Sequence, residues 1–190
     1  TRALIEHIIG PDTVREKSCL EPACGAGHMA KPLSEYFGQV YGSDTFDYGF
    51  GEVRDFLTYP HGRESFDWVI TTPPFRLAEE FTQRALTIAK EGVAILARTV
   101  FIESIGRYQN LFRDTPPTTF AQFTERVPMV KGRLDRKAST ATGYAWLVWR
   151  KPATDSAPQL AWVPPCRRQL ERDSDYFECV TPRSDYTDQA

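Results

Sequence analysis

The sequence lacks the features that mark membrane and disulfide-bonded proteins. No apolar run approaches the ~20 residues of a bilayer span, and no charged-then-apolar signal segment opens the chain. The four cysteines form no CxxC pair, which argues against a structural zinc site and favours reduced thiols. We therefore expect a cytoplasmic protein with no membrane partner and no metal.

The sequence also has no excess of charge of one sign. Its 23 basic and 25 acidic residues give a net charge of −2, so any nucleic-acid surface must be a local patch. With 190 residues, 41% of them hydrophobic, the chain can build one domain with an appendage. Helix-like and strand-like segments alternate through residues 1–151, which predicts an α/β domain. Residues 152–190 hold five prolines with little apolar periodicity and are interpreted as an irregular Pro-rich tail.

A glycine-rich turn follows the first predicted strand. Residues 21–27 read Glu-Pro-Ala-Cys-Gly-Ala-Gly, and a helical pattern begins at Met29. Glycines after a strand allow a sharp turn and let the backbone approach a ligand without a Cβ in the way. Asp44 ends the next predicted strand, where a carboxylate can accept hydrogen bonds from both hydroxyls of a ribose. The pattern predicts a nucleotide-like cofactor, with a tight turn that binds nothing as the alternative.

Two cofactors are compatible with this turn. Gly25 to Ala30 satisfies the dinucleotide pattern G-x-G-x-x-G/A, so NAD has to be considered. Glu21 would repel a pyrophosphate, whereas it would attract the cationic amino-acid end of S-adenosylmethionine. The whole stretch resembles motif I of class I S-adenosylmethionine-dependent methyltransferases, an acidic residue followed by P-x-x-G-x-G. The resemblance implies that S-adenosylmethionine is the cofactor.

A second motif narrows the class. Thr72-Pro73-Pro74-Phe75 resembles the [Asp/Asn/Ser]-Pro-Pro-[Tyr/Phe/Trp] turn of family members that methylate nitrogen, with Thr at its first position. The resemblance implies that Thr72 and the carbonyl of Pro73 accept the two N–H bonds of a planar amine. The two prolines rigidify the turn, and the ring of Phe75 can stack on a flat substrate. A hydroxyl is less polarising than the carboxylate of Asp and differs in shape from the amide of Asn. A purely structural Pro-Pro turn is the alternative.

The resemblance has further implications for the fold and the cofactor site. It implies an α/β, Rossmann-like, seven-stranded mostly parallel sheet with helices on both faces and an antiparallel last strand. Asp55 and Phe56 fall where the family places residues against the adenine of the cofactor; the alternative is a helix-start Asp and a core Phe. His28 lines the glycine turn without a catalytic role. The implied cofactor contacts are Glu21, Pro22, Ala23, Gly25, Gly27, His28, Asp44, Asp55 and Phe56.

Basic residues cluster late in the domain. Residues 121–151 hold seven Lys or Arg against one Glu and one Asp, a net charge of 7 − 2 = +5. This stretch is either a solvated hairpin or a lip that contacts the phosphates of a nucleic acid beside the active site. The candidate phosphate contacts are Lys131, Arg133, Arg136 and Lys137.

The two motifs together favour an S-adenosylmethionine-dependent N-methyltransferase. The chain resembles small phage and prophage adenine-N6 methyltransferases, which implies that the substrate is the exocyclic amine of adenine in DNA. Methylation of RNA or of a protein glutamine shares the Pro-Pro-aromatic turn, and a non-catalytic cofactor-binding module is compatible with Thr72. An NAD-dependent oxidoreductase shares only the glycine turn. The sequence leaves the oligomeric state open.

Overall fold

The core of the molecule is one β-sheet. A computed structural model of the protein describes residues 1–129, 135–153 and 156–176. In these residues the sheet has eight strands. They are β1 (Ser18–Glu21), β2 (Gln39–Asp44), β3 (Glu52–Val53), β4 (Phe66–Thr71), β5 (Ala89–Arg98), β6 (Thr119–Phe123), β7 (Tyr144–Arg150) and β8 (Gln159–Val163).

The strand order is β3-β2-β1-β4-β5-β7-β6-β8. Neighbours run parallel except that β7 is antiparallel to both β5 and β6. This confirms the predicted mostly parallel α/β sheet. The order reverses between β1 and β4, and ligands of such sheets bind in the crevice at the carboxyl ends of the strands on either side of that point.

The helices are short, with one exception. Helix α3 spans Ala78–Ile88 after a 3₁₀ turn at Phe75–Leu77. The helix predicted from Met29 is regular only over Ala30–Leu33. The remaining helices are α1 (Arg2–Leu4, continued by a π-helical turn at Ile5–Ile9), α2 (Ala30–Leu33), α4 (Ile105–Arg107, continued by a π-helical turn at Tyr108–Phe112) and α5 (Arg167–Leu170). The 3₁₀ turns are at Pro11–Thr13, Thr99–Ile102 and Asp173–Tyr176.

Apolar side chains cover both faces of the sheet, because successive strand residues point to opposite sides. On β4, Ile70 packs with Leu4 and Trp146 on one face, while Val69 packs with Phe81 on the other. The described residues include no helix long and apolar enough to cross a bilayer. The sheet is therefore buried on both faces, which leaves its edges and strand ends as the places for polar chemistry.

The C-terminal segment departs from its predicted irregular conformation. Strand β8 pairs in parallel with β6 and makes the sheet eight-stranded rather than seven-stranded. Ala161 and Val163 pack into the core, whereas Leu160 and Trp162 are exposed. Further along the segment, Asp175 forms an ion pair with Arg2 at 2.7 Å. Two inward residues among prolines give too weak an alternation to predict a strand from sequence; the domain boundary at residue 151 stays a prediction.

Candidate active site

The glycine-rich turn connects β1 to α2 at the reversal point of the sheet. Gly25 and Gly27 have φ of +50° and +82°, in the left-handed region that favours glycine. A Cβ on Gly27 would lie 2.8 Å from the ring of Phe50, so this glycine is required for packing. A Cβ on Gly25 would meet nothing within 4 Å. Gly25 therefore presents bare backbone to open space, as a ligand-binding turn requires.

Asp44 joins the end of β2 to this turn. One carboxylate oxygen accepts the N–H of Gly25 at 3.0 Å, and the other accepts the N–H of Phe46 at 3.2 Å. The N–H of Cys24 also donates to the carbonyl of Ser43 at 3.0 Å. Asp44 therefore fixes the glycine turn itself, and each of its half-buried oxygens keeps a lone pair that could accept a ligand hydroxyl.

Glu21 ends β1 and is only 2% exposed. Burial raises the pKa of its carboxyl well above the usual range, and the nearby Asp44 raises it further, although a hydrogen bond from the backbone N–H of Ala30 opposes the shift. Its second oxygen, Oε2, is buried without a partner among the described residues. No cationic side chain is among the described groups that shift the pKa of Glu21, so nothing positive offsets the burial of its carboxyl.

Unpaired polar atoms gather at this edge of the sheet. Seven buried side-chain N or O atoms in the described part of the chain have no hydrogen-bond partner. Four of them lie at the carboxyl ends of β1, β2 and β4 or directly after them: Glu21 Oε2, Ser43 Oγ, Thr71 Oγ1 and Thr72 Oγ1. Buried polar groups in folded proteins normally have partners, so four unpaired atoms at one edge require an explanation, such as a bound ligand or water.

The Pro-Pro-Phe turn follows β4 at the same edge. Pro73 is buried, and the carbonyl of Pro74 accepts the N–H of Leu77 at 2.9 Å as the helical segment starts. Phe75 is 48% exposed. The guanidinium carbons of Arg98 and Arg107 lie 5.3 and 5.9 Å from its ring centroid. A flat aromatic face with two adjacent cations can take a planar group attached to an anion.

Comparison with solved structures gives three informative neighbours. A protein from Vibrio vulnificus YJ016, named as a modification subunit of a type I restriction enzyme, superposes with a TM-score of 0.57 at 13% identity, over 78% of this chain and 43% of that chain. A protein from Listeria monocytogenes, named as a class I S-adenosylmethionine-dependent methyltransferase, gives a TM-score of 0.54 at 13% identity, over 85% and 62%. A protein from Pyrococcus horikoshii, named as an RNA methyltransferase, gives 0.52 at 15%, over 76% and 78%.

The chain has the fold of class I S-adenosylmethionine-dependent methyltransferases. It spans less than two thirds of the length of the first two of these methyltransferase structures. No family model and no curated protein matches the sequence. The likeness is therefore one of fold.

The residues at this edge of the sheet fit S-adenosylmethionine. The amino-acid end of that cofactor is cationic, and Glu21 offers a buried carboxylate oxygen without a partner. Gly25 leaves room for close approach, and Asp44 stands beside it with hydroxyl-accepting oxygens. The described residues hold no cluster of His, Cys, Asp or Glu that could bind a metal ion.

Other predicted cofactor contacts have clear local roles. Asp55 is exposed, and one of its oxygens accepts the N–H of Leu57 at 2.9 Å, which stabilises the turn after β3. Phe56 is 1% exposed with its ring 4.9 Å from that of Phe81, so it is a core residue. His28 is half-buried beside the glycine turn, and burial lowers its pKa. Pro22 is buried and Ala23 half-buried in the same turn. Contacts of these residues with adenine or methionine stay predictions.

The predicted phosphate lip is only partly within the described residues. Lys131 and Arg133 lie outside them. Arg136 donates to Asp173 at 2.6 Å, and its guanidinium carbon lies 4.3 Å from the ring centroid of Tyr176. Arg136 therefore binds the C-terminal segment through these two contacts, and its charge is already paired with the carboxylate of Asp173. Lys137 is exposed.

Sequence reasoning missed Arg98 and Arg107. Neither belongs to a motif, since Arg98 is the last residue of β5 and Arg107 ends the short helix α4. Arg107 also donates to the carbonyl of Phe101 at 2.9 Å, which orients it. For Arg98 the sequence did give one indication, its position: a residue that ends a parallel strand next to β4 lies at the same edge of the sheet as the site.

Proposed function

We propose that this protein is an S-adenosylmethionine-dependent N-methyltransferase that methylates the exocyclic amine of adenine in DNA. The observation that carries the proposal is the unpaired, buried Oγ1 of Thr72 at the carboxyl edge, three residues before the exposed ring of Phe75. An acceptor without a donor beside an open aromatic face suits a planar amine with two N–H bonds.

The cofactor end of the proposal depends on the glycine turn. When bound, S-adenosylmethionine supplies an electrophilic methyl group on a sulfonium. Glu21 would hold its cationic amino-acid end, and in doing so the carboxyl would lose the proton that burial favours. Gly25 admits the cofactor to the backbone, and Asp44 would accept hydrogen bonds from the ribose hydroxyls.

The substrate end depends on the turn after β4. An exocyclic amine is a poor nucleophile because its lone pair is delocalised into the ring. Thr72 Oγ1 and the carbonyl of Pro73 would each accept one N–H bond, which favours a pyramidal nitrogen with a free lone pair. Phe75 would stack on the base and hold it in line, so that positioning and electrostatics provide most of the rate.

Adenine in DNA is favoured over other amines by the surroundings of Phe75. Two arginines beside an aromatic platform suit a base that carries a phosphate, which a glutamine side chain does not. The Vibrio neighbour is named as a restriction-modification subunit, which supports a DNA substrate. A base in duplex DNA would have to be flipped out of the stack to reach Phe75. The same proposal places the protein in the cytoplasm and among proteins similar to small phage and prophage adenine methyltransferases.

Tritiated methyl transfer to pools of DNA, RNA and protein tests the substrate. We expect label in DNA, on adenine N6, and label confined to protein or RNA would overturn the DNA assignment. Asp44→Asn tests the cofactor end, since it keeps one acceptor for the glycine turn and removes the charge. Calorimetry should then show S-adenosylmethionine binding weakened by about tenfold, the loss of one charge-assisted hydrogen bond. Tight NAD binding by the wild type would contradict the whole proposal.

RNA methylation is the second candidate. It is favoured by the Pyrococcus neighbour, which is named as an RNA methyltransferase and is covered over 78% of its length. The RNA pool in the same assay separates the two candidates. A wild-type protein that binds S-adenosylmethionine but labels no pool, while Thr72→Asn labels DNA, would instead identify a cofactor-binding module that has lost activity.

A further inference from the structure

A groove continues from the Pro-Pro-Phe turn along the same edge of the sheet. It lies where β5, β6 and β8 end and β7 begins. Arg98 belongs to both places, because it lines the groove and its guanidinium lies over the ring of Phe75. The groove is therefore continuous with the proposed active site. Its lining includes Arg98, Gln122, Phe123, Arg126, Tyr144 and Trp162.

Trp162 gives the groove an aromatic platform. It is 63% exposed on β8, paired in register with Gln122 of β6. The strand alternates, so Ala161 and Val163 are held in the core and fix the strand while Trp162 stands out. Large aromatic side chains are costly to leave in water, and an exposed one on a fixed strand beside a groove is a typical stacking site for a base.

The charge of the groove is positive. Arg98 and Arg126 are exposed, and Arg126 is oriented by donation to the carbonyl of Ala141 at 2.6 Å. Glu125 is the acidic residue in the lining, and it is already engaged. One of its oxygens accepts the N–H of Cys166 at 2.8 Å and that of Arg167 at 2.7 Å. The two arginines outnumber the one carboxylate of the lining, which stays charged but is held by backbone donors, and this excess of positive charge suits a chain of phosphates.

We infer that this groove binds an unpaired nucleic-acid strand next to the target nucleotide, with Trp162 stacked on a base and Arg98 and Arg126 beside the phosphates. An unpaired strand is required because duplex bases stack on each other and present only their edges. The inference rests on the proposed function for its target nucleotide, but it concerns a surface formed by an eighth strand outside the two sequence motifs.

Tryptophan fluorescence can test the inference directly. The other three tryptophans, Trp68, Trp146 and Trp149, are at most 3% exposed, so quenching by a nucleic acid reports on Trp162. The probes are an adenine-containing single strand of about 12 nucleotides as DNA, the same sequence as RNA, and its DNA duplex. We expect both single strands to quench the emission, and the duplex to do so much less at equal concentration. Equal quenching by duplex and single strand, or none by either, would overturn the inference.

Three variants separate stacking from structure. Trp162→Ala should weaken single-strand binding by about five- to 150-fold, the usual effect of one lost base stack. Trp162→Phe keeps a ring, so it should bind within a few-fold of wild type while losing the quenching. Leu160→Ala is the matched control, because Leu160 is equally exposed on the same strand yet does not line the groove. Unchanged affinity in Trp162→Ala would overturn the inference.

Methyl transfer is measured on the same variants so that the two proposals can fail separately. A wild type that transfers no methyl group, yet shows quenching lost in Trp162→Phe and affinity lost in Trp162→Ala, retires the proposed activity and supports the groove. A wild type that methylates DNA at a rate unchanged in Trp162→Ala, with no quenching, supports the activity and overturns the groove.

Discussion

The two ends of the same strands are built in opposite ways. At the amino end, Ser18 of β1 and Asp67 of β4 satisfy each other: the Ser18 N–H and hydroxyl donate to the Asp67 carboxylate at 2.8 and 2.9 Å, and the Asp67 N–H donates back to Ser18 Oγ at 3.0 Å. At the carboxyl end, Glu21 of β1 and Thr71 of β4 have buried side-chain oxygens without partners. The polar groups at the amino end are satisfied within the protein, whereas polar groups at the carboxyl end are left unpaired.

The pKa shifts follow the same division. Burial acts to raise the pKa of Asp67, but the hydrogen bonds from Ser18 outweigh it and the pKa is lowered. The pKa of Glu21 is raised, because burial dominates there. Ionised Asp67 therefore stabilises the fold, whereas ionised Glu21 destabilises it. One strand pair therefore holds a carboxylate that is satisfied by hydrogen bonds at its amino end and a buried carboxyl with an unpaired oxygen at its carboxyl end.

The largest effect should come from the open side of the glycine turn. Gly25→Val would place a branched side chain where no protein atom lies within 4 Å, so we expect S-adenosylmethionine affinity to fall on the order of 100-fold or more. Calorimetry measures the affinity, and circular dichroism should show a folded protein. Gly25 and Gly27 both have positive φ, so a side chain at either position strains the backbone and should lower the melting temperature. The matched variant is Gly27→Ala, whose Cβ would also clash with Phe50, so its main effect should be on the melting temperature. Full cofactor affinity in Gly25→Val would refute the open-turn assignment.

Glu21→Gln should separate stability from binding. The amide removes a buried ionisable group, so we expect the free energy of unfolding at pH 7 to stay equal or rise. It also removes the charge offered to a cation, so S-adenosylmethionine affinity should fall by about ten- to hundredfold. Thermal melts and calorimetry provide the two measurements. A variant that is less stable and binds the cofactor as well as wild type would make Glu21 a structural acid like Asp67.

Thr72→Val should affect turnover rather than binding. Valine keeps the shape of threonine and removes the acceptor, which leaves one substrate N–H unpaired in the transition state. We expect kcat to fall about five- to 150-fold, equivalent to roughly 1–3 kcal/mol, with S-adenosylmethionine affinity unchanged. Single-turnover methyl transfer measures the effect. Equal rates in Thr72→Val and wild type would leave the Pro73 carbonyl and Phe75 as the groups that orient the amine.

Asp67→Asn is the counterpart at the amino end and should have the smallest effect. Losing a charged acceptor of two hydrogen bonds should lower the free energy of unfolding by roughly 1–2 kcal/mol, with cofactor affinity unchanged. Because the pKa of Asp67 is lowered in the fold, its stabilisation is present above the unfolded pKa of about 3.9 and is lost as the pH falls through the folded value.

The pH dependence of stability sharpens the same comparison. Asp67→Asn should flatten the acid side of the stability profile in chemical denaturation. The pKa of Glu21 is raised in the fold, so the stability that its protonated carboxyl contributes is lost as the pH rises through the folded pKa. Glu21→Gln should therefore flatten the side of the stability profile at higher pH. If both variants changed the profile on the same side, the opposite roles of the two carboxylates would be wrong.

The sequence by itself indicated the α/β class and the two turns at the carboxyl edge, and the mostly parallel sheet was implied by the family resemblance. The two turns are local features, because a strand followed by glycines, or by two prolines, specifies its own backbone. It also placed Glu21 and Asp44 correctly at strand ends, because each closes a short apolar segment. Residues whose partners lie within a few positions were therefore predictable.

Tertiary structure alone decided which polar groups meet and which remain unpaired. The eighth strand, the pairing of Arg136 with Asp173 and the placement of Arg98 over Phe75 all depend on contacts between segments far apart in the chain. The packing of the Phe56 ring against Phe81 in the core is likewise a contact between distant segments. Burial and pairing are set by the whole sheet, so a pattern of residue types can predict that a carboxylate lies at a strand end, but only the assembled fold determines whether it is satisfied there.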